Sequence, residues 1–168
     1  MSRAAPEVRT AGQSSVLATR PAIESIVPFR GRPSNAHRAP RILIAEDNGT
    51  LRRLLVDIVR ETIGDAVVAA VDDGAAALLA IDDGAALDLL LSDVMMPVMD
   101  GFELLRQVKE RRPDLPVIMM SAADEEGPAR RLGADDYLSK PFELVELTEK
   151  LDHWLTDTYP AQCARRCA

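Results

Sequence analysis

Between Arg41 and Leu155 the chain alternates two kinds of hydrophobic pattern. Short, nearly continuous apolar runs stand at 41–45 (RILIA), 66–71 (AVVAAV), 87–93 (LDLLLSD), 116–122 (PVIMMSA) and 136–139 (DYLS). They read as strands, and the unbroken ones suit strands covered on both faces. Helical patterns follow within 50–64, 73–84, 101–113, 124–133 and 143–155. In the first of these, Leu51, Leu54, Leu55, Ile58 and Val59 recur at helical spacing, while Arg52, Arg53 and Arg60 fall elsewhere. Five strand-then-helix units imply a parallel sheet with helices on both faces and right-handed crossovers. The third helix closes on a basic turn before Pro113. Gly127 and Pro128 predict that the fourth helix starts near Pro128 and is very short, because proline is tolerated in a first turn but not inside a helix.

The flanks lack this pattern. Residues 1–39 carry prolines at 6, 21, 28 and 33 and no sustained period, so they read as a disordered Arg- and Pro-containing extension. Residues 158–168, TYPAQCARRCA within the chain's end, carry no packing signal and read as a frayed tail. The 168 residues, 47% apolar, suit one compact domain with tails, and aromatics at 4% leave an aliphatic core.

Charge divides along the same boundary. Residues 1–39 hold six arginines against Glu7 and Glu24, a net +4, so the rest carries −11 within a total of −7. Such an acidic body repels nucleic acid, and any DNA contact falls to the extension. No apolar run is long enough for a membrane span, and no signal-peptide core stands at the start. The acid-poor extension has some look of an organelle transit peptide, but disorder explains it more simply. Cys163 and Cys167 both lie in the last six residues and cannot staple a core, which points to a reducing, cytoplasmic setting.

Acids follow two of the strands: Glu46 and Asp47 after RILIA, and Asp93 after LLLS. In a parallel sheet of strand order 2-1-3-4-5, the ends of strands one and three flank the crevice where ligands bind. Three carboxylates there need a cation, since like charges push one another toward protonation. Oxygen ligands that leave room for water and phosphate suit magnesium. Strand four ends in the hydroxyl of Ser121 and strand five in the ammonium of Lys140, both phosphate ligands. Carboxylate nucleophile, metal, ammonium and hydroxyl together make a set for phosphoryl transfer, with Asp93 as acceptor.

The stretches ILIAEDN, LLLSDVMMPVMDG, VIMMSA and GADDYLSKPF, in this order, resemble the receiver domain of two-component response regulators over about residues 40–157. The resemblance implies a flavodoxin-like, doubly wound α/β fold: a five-stranded parallel sheet of order 2-1-3-4-5 with five helices. It implies that Asp93 takes a phosphoryl group from a sensor histidine kinase or a histidine phosphotransfer protein. Magnesium would be held by Glu46, Asp47, Asp93 and the backbone carbonyl of Met95. Lys140 would pair with the phosphoryl group, Ser121 and Tyr137 would form the switch, and Pro141 would follow a cis bond. Such a protein is a self-phosphorylating and self-dephosphorylating switch rather than a turnover enzyme. Its effector would dock on the face of helix 4, strand 5 and helix 5.

The chain departs from the family in places. Ser121 and Lys140 are about three residues closer in sequence than usual. The positions two past Asp93 and two past Ser121 are Met95 and Ala123, neither able to hold an attacking water through its side chain, which predicts slow hydrolysis. With thirteen residues after Leu155, the chain reads as a stand-alone receiver. Two other functions compete. One is a phosphorylation-independent scaffold, against which the complete set Glu46, Asp47, Asp93, Ser121 and Lys140 argues. The other is DNA association through Arg30–Gly31–Arg32–Pro33, similar to the core of an AT-hook but without flanking lysines. His37 and His153 sit in no phosphohistidine box, and Cys163 with Cys167 makes at most a half-site.

Overall fold

The computed structural model describes residues 38–84 and 86–156. The extension, the Arg30–Pro33 motif, His37, the two cysteines and the C-terminal tail lie outside the described residues. Five strands, β1 (Arg41–Ala45), β2 (Val67–Val71), β3 (Leu89–Asp93), β4 (Val117–Ser121) and β5 (Asp136–Ser139), alternate with five helices. The helices are α1 (Gly49–Ile63), α2 (Gly74–Asp82), α3 (Gly101–Arg111), α4 (Glu126–Arg131) and α5 (Leu144–Thr156). The strands form one parallel sheet in the order β2-β1-β3-β4-β5.

Two cores account for the near-continuous apolar strands. Alternate side chains of one strand serve opposite faces. Leu43, Leu90, Val117 and Met119 meet α2 and α3 residues such as Ala77, Leu104 and Val108 on one side. Ile42, Ile44, Leu89, Leu91 and Ile118 meet Leu55, Val59, Leu147 and Leu151 of α1 and α5 on the other. Both central strands β3 and β4 are buried along their whole length, so the polar residues at their ends are held by neighbours that cannot shift far.

Two electrostatic ties brace the sheet. At the end of the sheet where β1 begins, the Arg38 guanidinium grips both oxygens of Asp88, one of them at 2.8 Å, and donates to the Ala86 carbonyl. Asp88 also accepts from the Arg41 amide. Arg38 is therefore tied to the sheet two residues ahead of residue 40. On the far side, Asp136 at the head of β5 accepts from Lys150 and Trp154 of α5 and from Arg130 of α4. Burial opposes ionisation of Asp136, but the bonds from Lys150, the Tyr137 amide and Trp154 outweigh it and hold the carboxyl below its ordinary range.

α4 starts at Glu126, two residues before the expected point, and runs for six residues. Pro128 is then its third residue. The first four amides of a helix have no partner inside it, so a proline there removes no bond.

Candidate phosphoacceptor site

Each site residue stands where a strand ends. β1 stops at Ala45, and the next residue, Glu46, donates its amide to the Val71 carbonyl of β2 at 3.1 Å. Asn48 then caps α1, its side-chain oxygen accepting from the amides of Thr50 and Leu51 at 3.0 and 3.1 Å. The loop of Glu46 and Asp47 is thereby fixed between a strand and a capped helix. Arg52, one turn into α1, adds a clasp by donating to the carbonyls of Glu46 and Asp47 at 2.7 and 3.2 Å.

Asp93 ends β3 and is 6% exposed. The turn that follows is held against it by Gly101, whose amide donates to the Val94 carbonyl at 2.8 Å. A Cβ on Gly101 would lie 2.1 Å from the Asp93 carbonyl oxygen, so only glycine admits this approach. Within the turn, Val98 has φ of 66° and is 87% exposed. A β-branched residue is strained in that region. Met95, on the same rim, is also exposed.

Carboxylate oxygens of Glu46, Asp47 and Asp93 all lie within 4.8 Å of one another. Glu46 is 1% exposed, whereas Asp47 is open to solvent. The Lys140 ammonium donates to Glu46 at 2.8 Å and sits 2.9 Å from Asp93. Burial pushes the Glu46 carboxyl up, with the nearby charge of Asp93 adding to it, and Lys140 offsets only part of this. A cluster of hard oxygen donors with excess negative charge fits a small divalent cation, and magnesium suits oxygen donors that leave coordination places for phosphate.

Ser121 ends β4 and is buried. Its hydroxyl donates to Glu125 at 2.5 Å and accepts from the Ala123 amide at 3.2 Å. Tyr137 of β5 is 7% exposed, with its hydroxyl donating to the Ala123 carbonyl at 2.5 Å. The ring is thus turned inward, against the loop between β4 and α4. The peptide bond between Lys140 and Pro141 is cis.

The fold brings Glu46, Asp47, Asp93 and Lys140 together, and the backbone of Met95 stands two residues along the turn. It ties Ser121 and Tyr137 to the loop between β4 and α4. Sequence reasoning missed Arg52 and Glu125. An arginine on the polar stripe of a helix reads as solvated, and the spacing of Ser121 and Glu125 has no meaning until β4 has ended in a turn.

A family model described as the response regulator receiver domain matches residues 42–152. Among curated proteins, the chain is 43% identical over 114 residues to the response regulator protein FleR of Pseudomonas aeruginosa, covering 66% of this chain and 24% of FleR. It is 36% identical over 131 residues to the response regulator MprA of Mycobacterium bovis, covering 76% of this chain and 56% of MprA. The matched region thus spans about a quarter to a half of these relatives. Among solved structures, the receiver domain of Francisella response regulator 1452 superposes with a TM-score of 0.65 at 30% identity, over 71% of this chain and 98% of that one. TrrA of Thermotoga maritima, solved in complex with magnesium and beryllium fluoride, gives 0.63 at 27% identity, over 69% and 99%. The receiver domain of the sensor histidine kinase PA1611 of Pseudomonas aeruginosa, with magnesium coordinated in its active-site cleft, gives 0.62 at 27%, over 70% and 98%.

Proposed function

Because the chain belongs to the response regulator receiver domain family, we propose that it is a signalling switch that accepts a phosphoryl group on Asp93. The donor is a sensor histidine kinase or a histidine phosphotransfer protein. The observation that carries this reading is the double engagement of Lys140, whose ammonium bonds Glu46 and Asp93 at once inside a three-carboxylate cluster.

The residues divide the chemistry. An Asp93 carboxylate oxygen attacks phosphorus, forming the oxygen–phosphorus bond as the bond to the donor histidine nitrogen breaks. Lys140 holds the nucleophile and then pairs with a phosphoryl oxygen, as a compact cation does well. Glu46, Asp47, Asp93 and the Met95 carbonyl would hold magnesium, which would supply charge neutralisation for the transferring group. Ser121 turns its hydroxyl to the new phosphoryl oxygen. Tyr137, turned inward, is retained there, and the population shifts toward a form that binds an effector on the α4, β5 and α5 face. The group is later lost by hydrolysis at the same residue, so no separate substrate is turned over.

Intact-mass measurement after incubation with acetyl phosphate and magnesium tests this. One phosphoryl adduct is expected in the wild type and none in Asp93→Asn. An adduct in neither protein would sink the reading in favour of a phosphorylation-independent scaffold. The adduct should also decay slowly after desalting into magnesium buffer, because Met95 and Ala123 offer no side-chain hydrogen bond to a water; decay within a minute would contradict that.

A further inference from the structure

Ser121 has one hydroxyl hydrogen, and in this structure Glu125 has it. A serine hydroxyl donates once and accepts through its lone pairs. Here the Ala123 amide occupies an accepting position at 3.2 Å, and the hydrogen goes to the Glu125 carboxylate at 2.5 Å. A phosphoryl oxygen on Asp93 wants the same hydrogen, and the two anions cannot share it.

The placement of Glu125 strengthens the point. It stands at the N-terminus of α4, where a side chain would ordinarily bond the free amides of the first turn. Its carboxylate makes no such bond and reaches back to β4 instead. Its backbone, by contrast, is held: the Glu125 amide donates to the Ala123 carbonyl at 2.9 Å and to the Tyr137 hydroxyl at 3.3 Å. Tyr137 in turn donates to the Ala123 carbonyl. The aromatic half of the switch is set in place, and the hydroxyl half is held back by one side chain.

We propose that Glu125 is a positioning residue that restrains the Ser121 hydroxyl, so that phosphoryl group and Glu125 compete for it and Glu125 sets the threshold of the switch. This rests on the phosphoacceptor reading of the site. Releasing Ser121 requires only rotation of the Glu125 side chain, with strand and loop backbone left in place. The cost is that of one hydrogen bond to a charged group, which corresponds to roughly a tenfold effect on an equilibrium.

The test uses beryllium fluoride with magnesium as the phosphoryl mimic, and its half-saturating concentration is read by fluorine NMR. The full chain is compared with E125A, E125Q, S121A and the double variant S121A/E125A. E125A should lower the half-saturating concentration by about tenfold. E125Q should lower it less, because an amide oxygen still accepts the hydrogen but carries no charge. In the S121A background, replacing Glu125 should change nothing, as a double-mutant cycle requires of an effect carried by that pair.

Wild-type affinity in E125A would overturn the proposal. An equal gain with and without Ser121 would overturn it too, since Glu125 would then act as a nearby negative charge alone. A wild type that binds no beryllium fluoride would instead remove the phosphoacceptor reading, and this proposal with it.

Discussion

α3 and α4 both follow a strand that ends in a site residue, Asp93 for one and Ser121 for the other, yet they are built in opposite ways. α3 has eleven residues, an Asp100 cap bonded to the Glu103 amide at 2.8 Å, and basic Lys109 and Arg111 in its last turn. Arg106 on its surface pairs with Glu103 and Glu110. α4 has six residues, includes Gly127 and Pro128, and has no side-chain cap. The strand end that carries Asp93 is thus followed by a capped, charge-laced helix, and the one that carries Ser121 by a short uncapped one. A nucleophile must be held in a reactive geometry. A switch must have two arrangements close in free energy.

The sharpest way to test the Asp93 side is Gly101→Ala. Its methyl would press on the backbone of Asp93, and a loss of about 3 kcal/mol of stability is expected from overpacking of this kind. Urea denaturation measures it, and a loss near zero would mean that the turn after β3 is softer than its geometry implies. A smaller effect separates the two helices directly. Asp100→Ala should cost about 1 kcal/mol, the value of a lost cap. Glu125→Ala at the equivalent place loses no cap bond but does take the acceptor of the Ser121 hydroxyl, so in a Ser121→Ala background it should cost less than about 0.5 kcal/mol. Equal costs would break the comparison.

The smallest effect concerns the tie that steadies α4. Asp136 is held below the ordinary aspartate range by its bonds to Lys150, the Tyr137 amide and Trp154, which outweigh its burial. A depressed carboxyl contributes stability that is fully present above the unfolded value and lost as pH falls through the folded one. Stability should therefore decline below about pH 4. Fluorescence of Trp154, the single tryptophan, reports it from a position bonded to Asp136. Asp136→Asn should flatten that part of the acid profile, and an unchanged profile would show that other carboxyls dominate.

Much of this was legible in the sequence because strands buried on both faces leave unbroken apolar runs, and because their polar ends stand out against them. Asp93 after three leucines and a serine, and Ser121 after two methionines, are such ends. Strand ends put Lys140 in the same pocket as the acids, as a phosphoryl partner, while its ion pairs with Glu46 and Asp93 are visible only in the fold. What the sequence hid were contacts made across turns. Arg52 reaches back to backbone carbonyls, which carry no sequence signal. Glu125 depends on where β4 stops, and the inward Tyr137 depends on a loop carbonyl. Pro128 misplaced the start of α4 because any of the first helical positions accepts a proline, and the pattern alone does not choose among them.

The Arg38–Asp88 clamp marks a seam for protein engineering. It lies at the end of the sheet where β1 begins, about 16 Å of strand away from the acids at the other end. A fluorescent reporter or affinity handle joined ahead of Arg38 would enter the domain at the pole remote from Asp93. A cut at residue 41, where the strand itself begins, would strip Asp88 of the guanidinium that spans both its oxygens. Grafting this receiver onto another protein should therefore carry Arg38 along as part of the fold.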